Sequence, residues 1–221
     1  MTGIEQNLID VRFGIPERVM LVAVSKNHPV NSLKEAYVAG QRVFGENKVQ
    51  EIIAKRPFLP SDIEWHMIGH LQTNKVKQIA PFISLIQSVD TGKLLFEISK
   101  QAERCNRVID CLLQVYIAQE ETKFGFDEKE LAILFQELKH QPLPGVRICG
   151  LMGMATFTDD EQQIRNEFKG LNGLFLKIKR EFFAQSHSFS HLSMGMSGDF
   201  KIAIEEGSTI VRIGTKIFGS R

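Results

Sequence analysis

The sequence predicts one α/β domain over residues 1–221, a (β/α)8 barrel of TIM type. Three observations carry that expectation. Eight short apolar runs bounded by turn residues recur along the chain, and a helical pattern separates each from the next. Such alternation calls for a parallel sheet, and eight units call for a closed one. No GxGxxG follows the first run, which argues against an open doubly wound sheet. The 221 residues lie near the lower size limit for such barrels, so the loops must be short. No Pro/Gly/Ser-rich linker or low-complexity tract divides the chain.

The elements follow in order. Residues 4–13 form a helix with Ile4, Leu8 and Val11 on one face. Strand 1 covers about 19–25, and Asn31-Ser32 cap a helix to about Gly40. Val43-Phe44-Gly45 is strand 2; Glu46-Asn47 start a helix that ends before Pro57. Trp65 to Gly69 is strand 3 with His70 at its end, and Thr73-Asn74 lead a helix to Ala80. Ile83 to Val89 is strand 4, closed by Asp90. The helix from Gly92 to Cys105 places Leu94, Leu95, Ile98 and Ala102 on one face. Strand 5 runs from Ile109 to Ile117, followed by a polar loop at 119–125. Asp127 caps a helix over 128–140. Strand 6 is Val146 to Ala155. Asp159-Asp160 open a long helix to Phe183, whose Phe168, Phe175, Phe182 and Phe183 read as a core stripe. Strand 7 is Phe189 to Met194. Ser197-Gly198-Asp199 start a helix that Gly207 stops, and strand 8 is Thr209 to Ile213. An eighth helix is missing from the pattern; the N-terminal helix is expected to cover the gap.

Composition narrows the function. A formal net charge of +1 leaves no basic footprint for nucleic acid, so a ligand must be held by local groups. No apolar run approaches the roughly 20 residues that span a bilayer. The N-terminus lacks the basic and apolar regions of a signal peptide, so a cytoplasmic protein is expected. Cys105, Cys111 and Cys149 form no CxxC pair and read as reduced packing residues.

Barrel active sites stand at the C-terminal strand ends. Those ends supply Lys26; Glu46 and Asn47; His70; Gln119 and Glu120; Met152, Met154 and Thr156; Met196, Ser197 and Gly198; and Arg212, Gly214 and Thr215. Lys26 closes Leu21-Val22-Ala23-Val24-Ser25. A lysine there has its stem in the interior and its amine at the rim, where desolvation favours a Schiff-base nucleophile. On this stretch alone, a lysine that merely ends the strand in water is the commoner outcome. The loops after strands 7 and 8 are where barrels bind phosphate. Ser197-Gly198 and Gly214-Thr215 offer backbone N–H groups and hydroxyls there, against the plainer readings of an N-cap and a tight turn. In Ile210-Val211-Arg212-Ile213, period two puts Arg212 on one face with Ile210. Pointing inward, it would cost several kcal/mol unless paired, with a cofactor ring nitrogen or a barrel carboxylate as partner. A Schiff-base lysine, a phosphate cradle and a positioned arginine together suggest pyridoxal 5′-phosphate. His66 and His70 fall on one strand face, but without a third ligand they read as hydrogen-bonded histidines rather than a metal site.

The stretches LVAVSK (21–26), VFGENKVQE (43–51), WHMIGHLQTNK (65–75), QSVD (87–90), GLMGMA (150–155), LSMGMSGDF (192–200) and VRIGTKIFG (211–219) resemble the YggS/PROSC family of pyridoxal-phosphate homeostasis proteins, nearly end to end. The resemblance implies the barrel of the alanine racemase N-terminal domain, and a protein that holds the cofactor as a lysine aldimine in vitamin B6 and amino-acid homeostasis. It places Lys26 on the aldehyde, Ser197, Gly198, Gly214 and Thr215 on the phosphate and Arg212 at the pyridine nitrogen. Asn47, His70 and Met196 would stand nearby. Partners would be the cofactor and apo-enzymes that accept it, with no membrane, and a monomer is expected. The segment before strand 1 is shorter than the family's usual helix, and His28 stands where members often carry a second lysine.

A racemase is the alternative function. Racemisation needs an acid/base on each face of the Cα carbanion, and alanine racemases draw the second, a tyrosine, from a further domain. The tyrosines here are Tyr37, in the helix after strand 1, and Tyr116, inside strand 5, neither at the rim. A binder or carrier, with at most a weak racemase-like activity, is therefore favoured. A Schiff-base aldolase is a third reading, since a barrel alone does not fix function.

Overall fold

The computed structural model describes residues 2–118 and 125–219. Eight parallel strands close into a barrel in sequence order. They are β1 (Met20–Val24), β2 (Val43–Glu46), β3 (Glu64–Met67), β4 (Leu85–Val89), β5 (Ile109–Gln114), β6 (Val146–Met152), β7 (His191–Ser193) and β8 (Ile210–Ile213). The helices outside are α1 (Gly3–Phe13), α2 (Val30–Val38), α3 (Val49–Lys55), α4 (Val76–Ile79), α5 (Gly92–Arg104), α6 (Glu128–His140), α7 (Glu161–Phe182), α8 (Phe200–Glu205) and α9 (Thr215–Phe218). The seam is the β1–β8 pair, with Met20 opposite Ile210 and Ala23 opposite Ile213. Among the described residues no helix is long and apolar enough to cross a membrane.

Two apolar clusters reflect the period of two. Val22, Leu85, Leu112, Cys149, Met152 and Ile210 meet inside the barrel, with Met20 and Val43 against them. Ala23, Phe44, Trp65, Cys111, Leu113, Leu151, Leu192 and Val211 face the helices and join the larger outer core. Inward parity on β1 passes from Met20 through Val22 and Val24 to Lys26, and on β2 from Val43 through Gly45 to Asn47. The aromatic stripe of α7 packs as expected: Phe168 is fully buried. Phe182 stacks on Phe135 at 4.7 Å between ring centroids, and Phe183 stacks on Phe189 at 4.4 Å.

Local chemistry explains most boundaries. Thr2 and Glu5 form a capping box on α1, Asp127 and Glu130 another on α6, and Asp160 accepts from the N–H groups of Gln162 and Gln163 on α7. Several boundaries depart from expectation. Helix α2 starts at Val30 behind Pro29, with no side-chain cap from Asn31 or Ser32. Glu46 ends β2 rather than opening a helix; α3 starts at Val49, and Pro57 lies inside a 3-10 turn, Arg56–Phe58. Strands β3, β5, β6 and β7 are shorter than their apolar runs, because residues past the ladder are buried by loops and the helix layer, and burial alone does not make a strand. Tyr116 accordingly lies beyond β5, not inside it. Ser197 does not cap α8; Asp199 occupies that position. The eighth crossover is not empty, since α9 follows β8 and packs on α1. The loop at 119–124, with Gln119 and Glu120, lies outside the described residues.

Gly150 marks the tightest backbone approach. At φ 153°, a Cβ there would lie 1.7 Å from the His191 carbonyl oxygen on β7. Gly150→Ala should therefore force β6 and β7 apart and cost about 3 kcal/mol or more. Chemical denaturation of the variant against the parent chain measures this directly.

Candidate functional site

Residues 25–27 run from the end of β1 into a tight turn, with Asn27 at φ 63°. Lys26, half-buried, is the inward residue; Ser25, completely buried, faces out between the barrel wall and α3. A charged cluster grips the turn from behind. Ser25 Oγ donates to Glu46 Oε1 at 2.7 Å. Lys55 Nζ donates to the same oxygen at 2.7 Å, to Glu51 Oε2 at 2.8 Å and to the Ser25 carbonyl at 2.9 Å. The Asn27 N–H donates to Glu51 Oε2 at 2.6 Å. The residues before and after Lys26 are thus tied to one buried cluster. Burial pushes the Glu46 carboxyl up against its bonds from Lys55 and Ser25. Glu51 is also raised by burial, but the bonds from Lys55 and from the Asn27 N–H outweigh that and leave it lower. Glu46 Oε2 is buried with no hydrogen-bond partner, so the cluster depends on Lys55 for its charge balance. Sequence reading missed Lys55; the i,i+4 pair Glu51–Lys55 on α3 was the available signal.

Asn47, half-buried, follows β2, and its backbone is packed on Gly69, where a Cβ would meet the Asn47 carbonyl oxygen at 2.5 Å. His70 Nδ1 lies 2.6 Å from Asp90 Oδ2; the imidazole is half exposed and the carboxylate almost covered. Thr156 is tied to α7, with its N–H and hydroxyl donating to the two carboxylate oxygens of Glu167. His66 is not near a metal-like set with His70: its Nδ1 bonds Gln87 inside the barrel at 3.0 Å.

On the far side, the loops after β7 and β8 meet. The Gly214 N–H donates to Ser197 Oγ at 3.3 Å, which leaves the Ser197 proton available to donate. Asp199 Oδ1 accepts from the Met196 N–H at 2.5 Å and tightens the turn between them. Gly198 opens on empty space, since nothing lies within 4 Å of where its Cβ would be. Thr215 and Met196 are exposed beside it. Met154 is exposed at the end of strand 6, and Met152 is buried below it.

Arg212 points into the barrel and is 4% exposed. Nη1 donates to Ser193 Oγ at 2.6 Å and Nη2 to the Gly153 carbonyl at 3.0 Å. Both partners are neutral and neither is a carboxylate; Asp199 acts on the guanidinium through its field. Burial draws the guanidinium down to about 10, still charged at neutral pH. The tyrosines differ from each other. The Tyr37 hydroxyl donates to Asp62 on the outer surface, and Arg42 stacks on its ring at 3.8 Å. Tyr116 stands past β5 at the same end of the barrel as Lys26, with its N–H on the Phe126 carbonyl. His28 stacks on Phe218 of α9 at 4.9 Å, joining the loop after β1 to the last helix.

The comparisons with known proteins agree with this geometry. The profile of the alanine racemase N-terminal domain matches residues 2–221. A protein of Aquifex aeolicus named pyridoxal phosphate homeostasis protein is 43% identical over 91% of this chain and 86% of its own length. One of the same name from Pasteurella multocida is 37% identical over 99% and 97%. The structure of PipY from Synechococcus elongatus, with PLP bound, superposes with a TM-score of 0.89 at 36% identity, covering 98% of this chain and all of that one. An alanine racemase of Clostridium difficile shares the fold, with a TM-score of 0.78 at 12% identity, and this chain covers 60% of it.

Two outcomes follow. Lys55→Met should leave Glu46 and Glu51 buried against each other and cost about 3–5 kcal/mol, read from urea midpoints. His66 is held neutral at a pKa of about 3, below its ordinary 6.5, by burial and then by His191. The folded state thus refuses a proton that the unfolded chain accepts. Its stabilisation is complete above about pH 6.5 and drains as pH falls towards 3, by up to ~1.4 kcal/mol per unit. His191, also lowered by burial, acts in the same direction. Urea midpoints from pH 7 to 4 should fall less steeply in His66→Asn than in the parent.

Proposed function

The chain belongs to the alanine racemase N-terminal domain family, among its pyridoxal phosphate homeostasis proteins, and from that premise we propose that it binds pyridoxal 5′-phosphate through Lys26 as a cytoplasmic holder of the cofactor. The observation that carries this reading is Arg212: a buried, charged donor with neutral partners, inside a barrel whose inward residue at the end of β1 is a lysine. A protein of this family with its cofactor bound, PipY, superposes over nearly the whole chain.

When bound, the cofactor supplies an aldehyde that exchanges amines and a ring that can spread negative charge. The residues divide the work. Lys26 Nζ would hold the cofactor through its aldehyde. The clamp on Ser25 and Asn27 keeps that amine aimed inward. Ser197, Gly198, Gly214 and Thr215, where the loops after β7 and β8 meet, would hold the phosphate, with Met196 beside them. Arg212 would face the ring nitrogen with hydrogen-bond donors rather than an acid, which would weaken the ring as an electron sink and favour retention over turnover. Asn47 and His70 would stand near the cofactor, with His70 held by Asp90. Tyr116 is the one described tyrosine at this end, and it supports a slow racemase-like side activity as the second reading. The closed sheet leaves no strand edge to pair with another chain, which supports a single-domain monomer that hands the cofactor to apo-enzymes.

Incubated with pyridoxal 5′-phosphate, the protein should turn yellow. Borohydride should bleach the band and leave a reduced adduct on the Lys26 peptide by mass spectrometry, and Lys26→Ala should stay colourless. A colourless parent chain would remove the cofactor from the account. D-alanine formation by the yellow protein, lost in Tyr116→Phe, would move it to the racemase reading.

A further inference from the structure

Four strands each send one polar side chain into the same level of the barrel: His66 from β3, Gln87 from β4, Ser193 from β7 and Arg212 from β8. Gln87 and Ser193 are completely buried, His66 is 2% exposed and Arg212 4%. They form one unbroken line. Arg212 Nη1 lies 2.6 Å from Ser193 Oγ, Ser193 Oγ lies 2.6 Å from Gln87 Oε1, and Gln87 Nε2 lies 3.0 Å from His66 Nδ1.

The amide orientation of Gln87 gives this line one consistent set of donors and acceptors. Arginine has no acceptor, so Nη1 must donate to Ser193. The serine hydroxyl accepts from the arginine and donates its one proton to Gln87 Oε1. That orients the amide, whose NH2 then faces His66 and donates to Nδ1. An Nδ1 that accepts is unprotonated, so the imidazole is neutral and carries its proton on Nε2. The charged groups that act on the ends of the line are His191 on the His66 side and Asp199 on the Arg212 side. None of the three residues behind Arg212 is acidic. The line therefore orients the guanidinium without neutralising it, while Nη2 on the Gly153 carbonyl fixes its plane.

We propose that Ser193, Gln87 and His66 are positioning residues for Arg212: a one-way hydrogen-bond line that sets its pose and keeps its charge undivided for the group bound beside it. The inference rests on the reading of Arg212 as the partner of the cofactor's ring nitrogen. A carboxylate anywhere in the line would share the guanidinium's charge; an apolar residue would let it turn.

The first test needs no cofactor. Nitrogen-15 NMR of the histidine-labelled protein should show His66 with Nδ1 unprotonated and Nε2–H, unchanged from pH 8 to 5. An Nδ1–H tautomer, or protonation near pH 6.5, would reverse the line and overturn the proposal. The second test compares Gln87→Leu, Ser193→Ala and Ser193→Thr, with folding checked by circular dichroism. In Gln87→Leu and Ser193→Ala the Arg212 side-chain NH signals should lose their slowed exchange. Pyridoxal 5′-phosphate should leave about tenfold faster, and the visible band should move in the direction that Arg212→Met moves it. Ser193→Thr, which keeps the hydroxyl, should restore all three. Folded variants with parental band, release rate and Arg212 signals would leave a mere core network and overturn the proposal. If Arg212→Met itself leaves the band in place, the ring-nitrogen reading fails instead, and the cofactor-free NMR alone decides whether the line orients Arg212.

Discussion

A barrel closed by eight parallel strands turns alternate side chains into a space that water does not enter freely, and every polar group placed there must find its partner among the others. In this chain the lower level of that space is apolar, built from Val22, Leu85, Leu112, Cys149 and Ile210. The level above it holds an arginine, which keeps its charge at neutral pH and cannot accept a hydrogen bond. Removing one partner from such a group costs more than the bond contributed, because the remaining charge stays buried. The neutral set of Ser193, Gln87, His66 and the Gly153 carbonyl is the response to that constraint, and the strands on either side are held in register by it.

The same strand ends carry a second polar cluster on the outer side of the wall. Ser25 and Lys26 are neighbours, and period two sends them in opposite directions: one to the Glu46–Lys55–Glu51 cluster beneath α3, the other to the barrel mouth. The two clusters differ in kind. Outside, opposite charges are packed together and one carboxylate oxygen stays without a partner; inside, a single positive charge is left among neutral groups. The outer cluster fixes where Lys26 stands, and the inner one places a positive charge inside the barrel.

The sequence was most legible where one period decided the answer. Alternation of apolar runs and helices argued for a closed parallel barrel, and Ile210-Val211-Arg212-Ile213 placed Arg212 on one face with Ile210, the face that the barrel turns inward. Its partners were hidden, because Ser193 and Gln87 lie 106 residues apart and no local pattern links them. Lys55 was equally hidden: a lysine at the end of a short helix reads as solvated, and only the tertiary packing of α3 on β1 and β2 buries it. Ser197 shows a different limit. Serine before a helix is a common cap, but here the Gly214 N–H takes its oxygen and Asp199 becomes the cap, a choice made by the meeting of two loops. Tyr116 was placed inside β5 because an apolar run was taken as a ladder; the run continues past the last paired residue, Gln114, and the tyrosine comes out at the mouth.

The seam between β1 and β8 joins the two ends of the chain, since Met20 pairs with Ile210. As the polypeptide leaves the ribosome, the turn around Lys26 can be completed by residues no farther on than Lys55. The inner polar level has to wait for Ser193 and Arg212, well over a hundred residues later in the chain. Until then β1 is an open edge, and long-range closure of this kind is slow and exposed to aggregation. The turn around Lys26 is thus assembled early in synthesis and the inner polar level late. A ligand bound across both halves would act as a clasp on the newest and oldest parts of the molecule, favouring the closed barrel over its unfinished precursors.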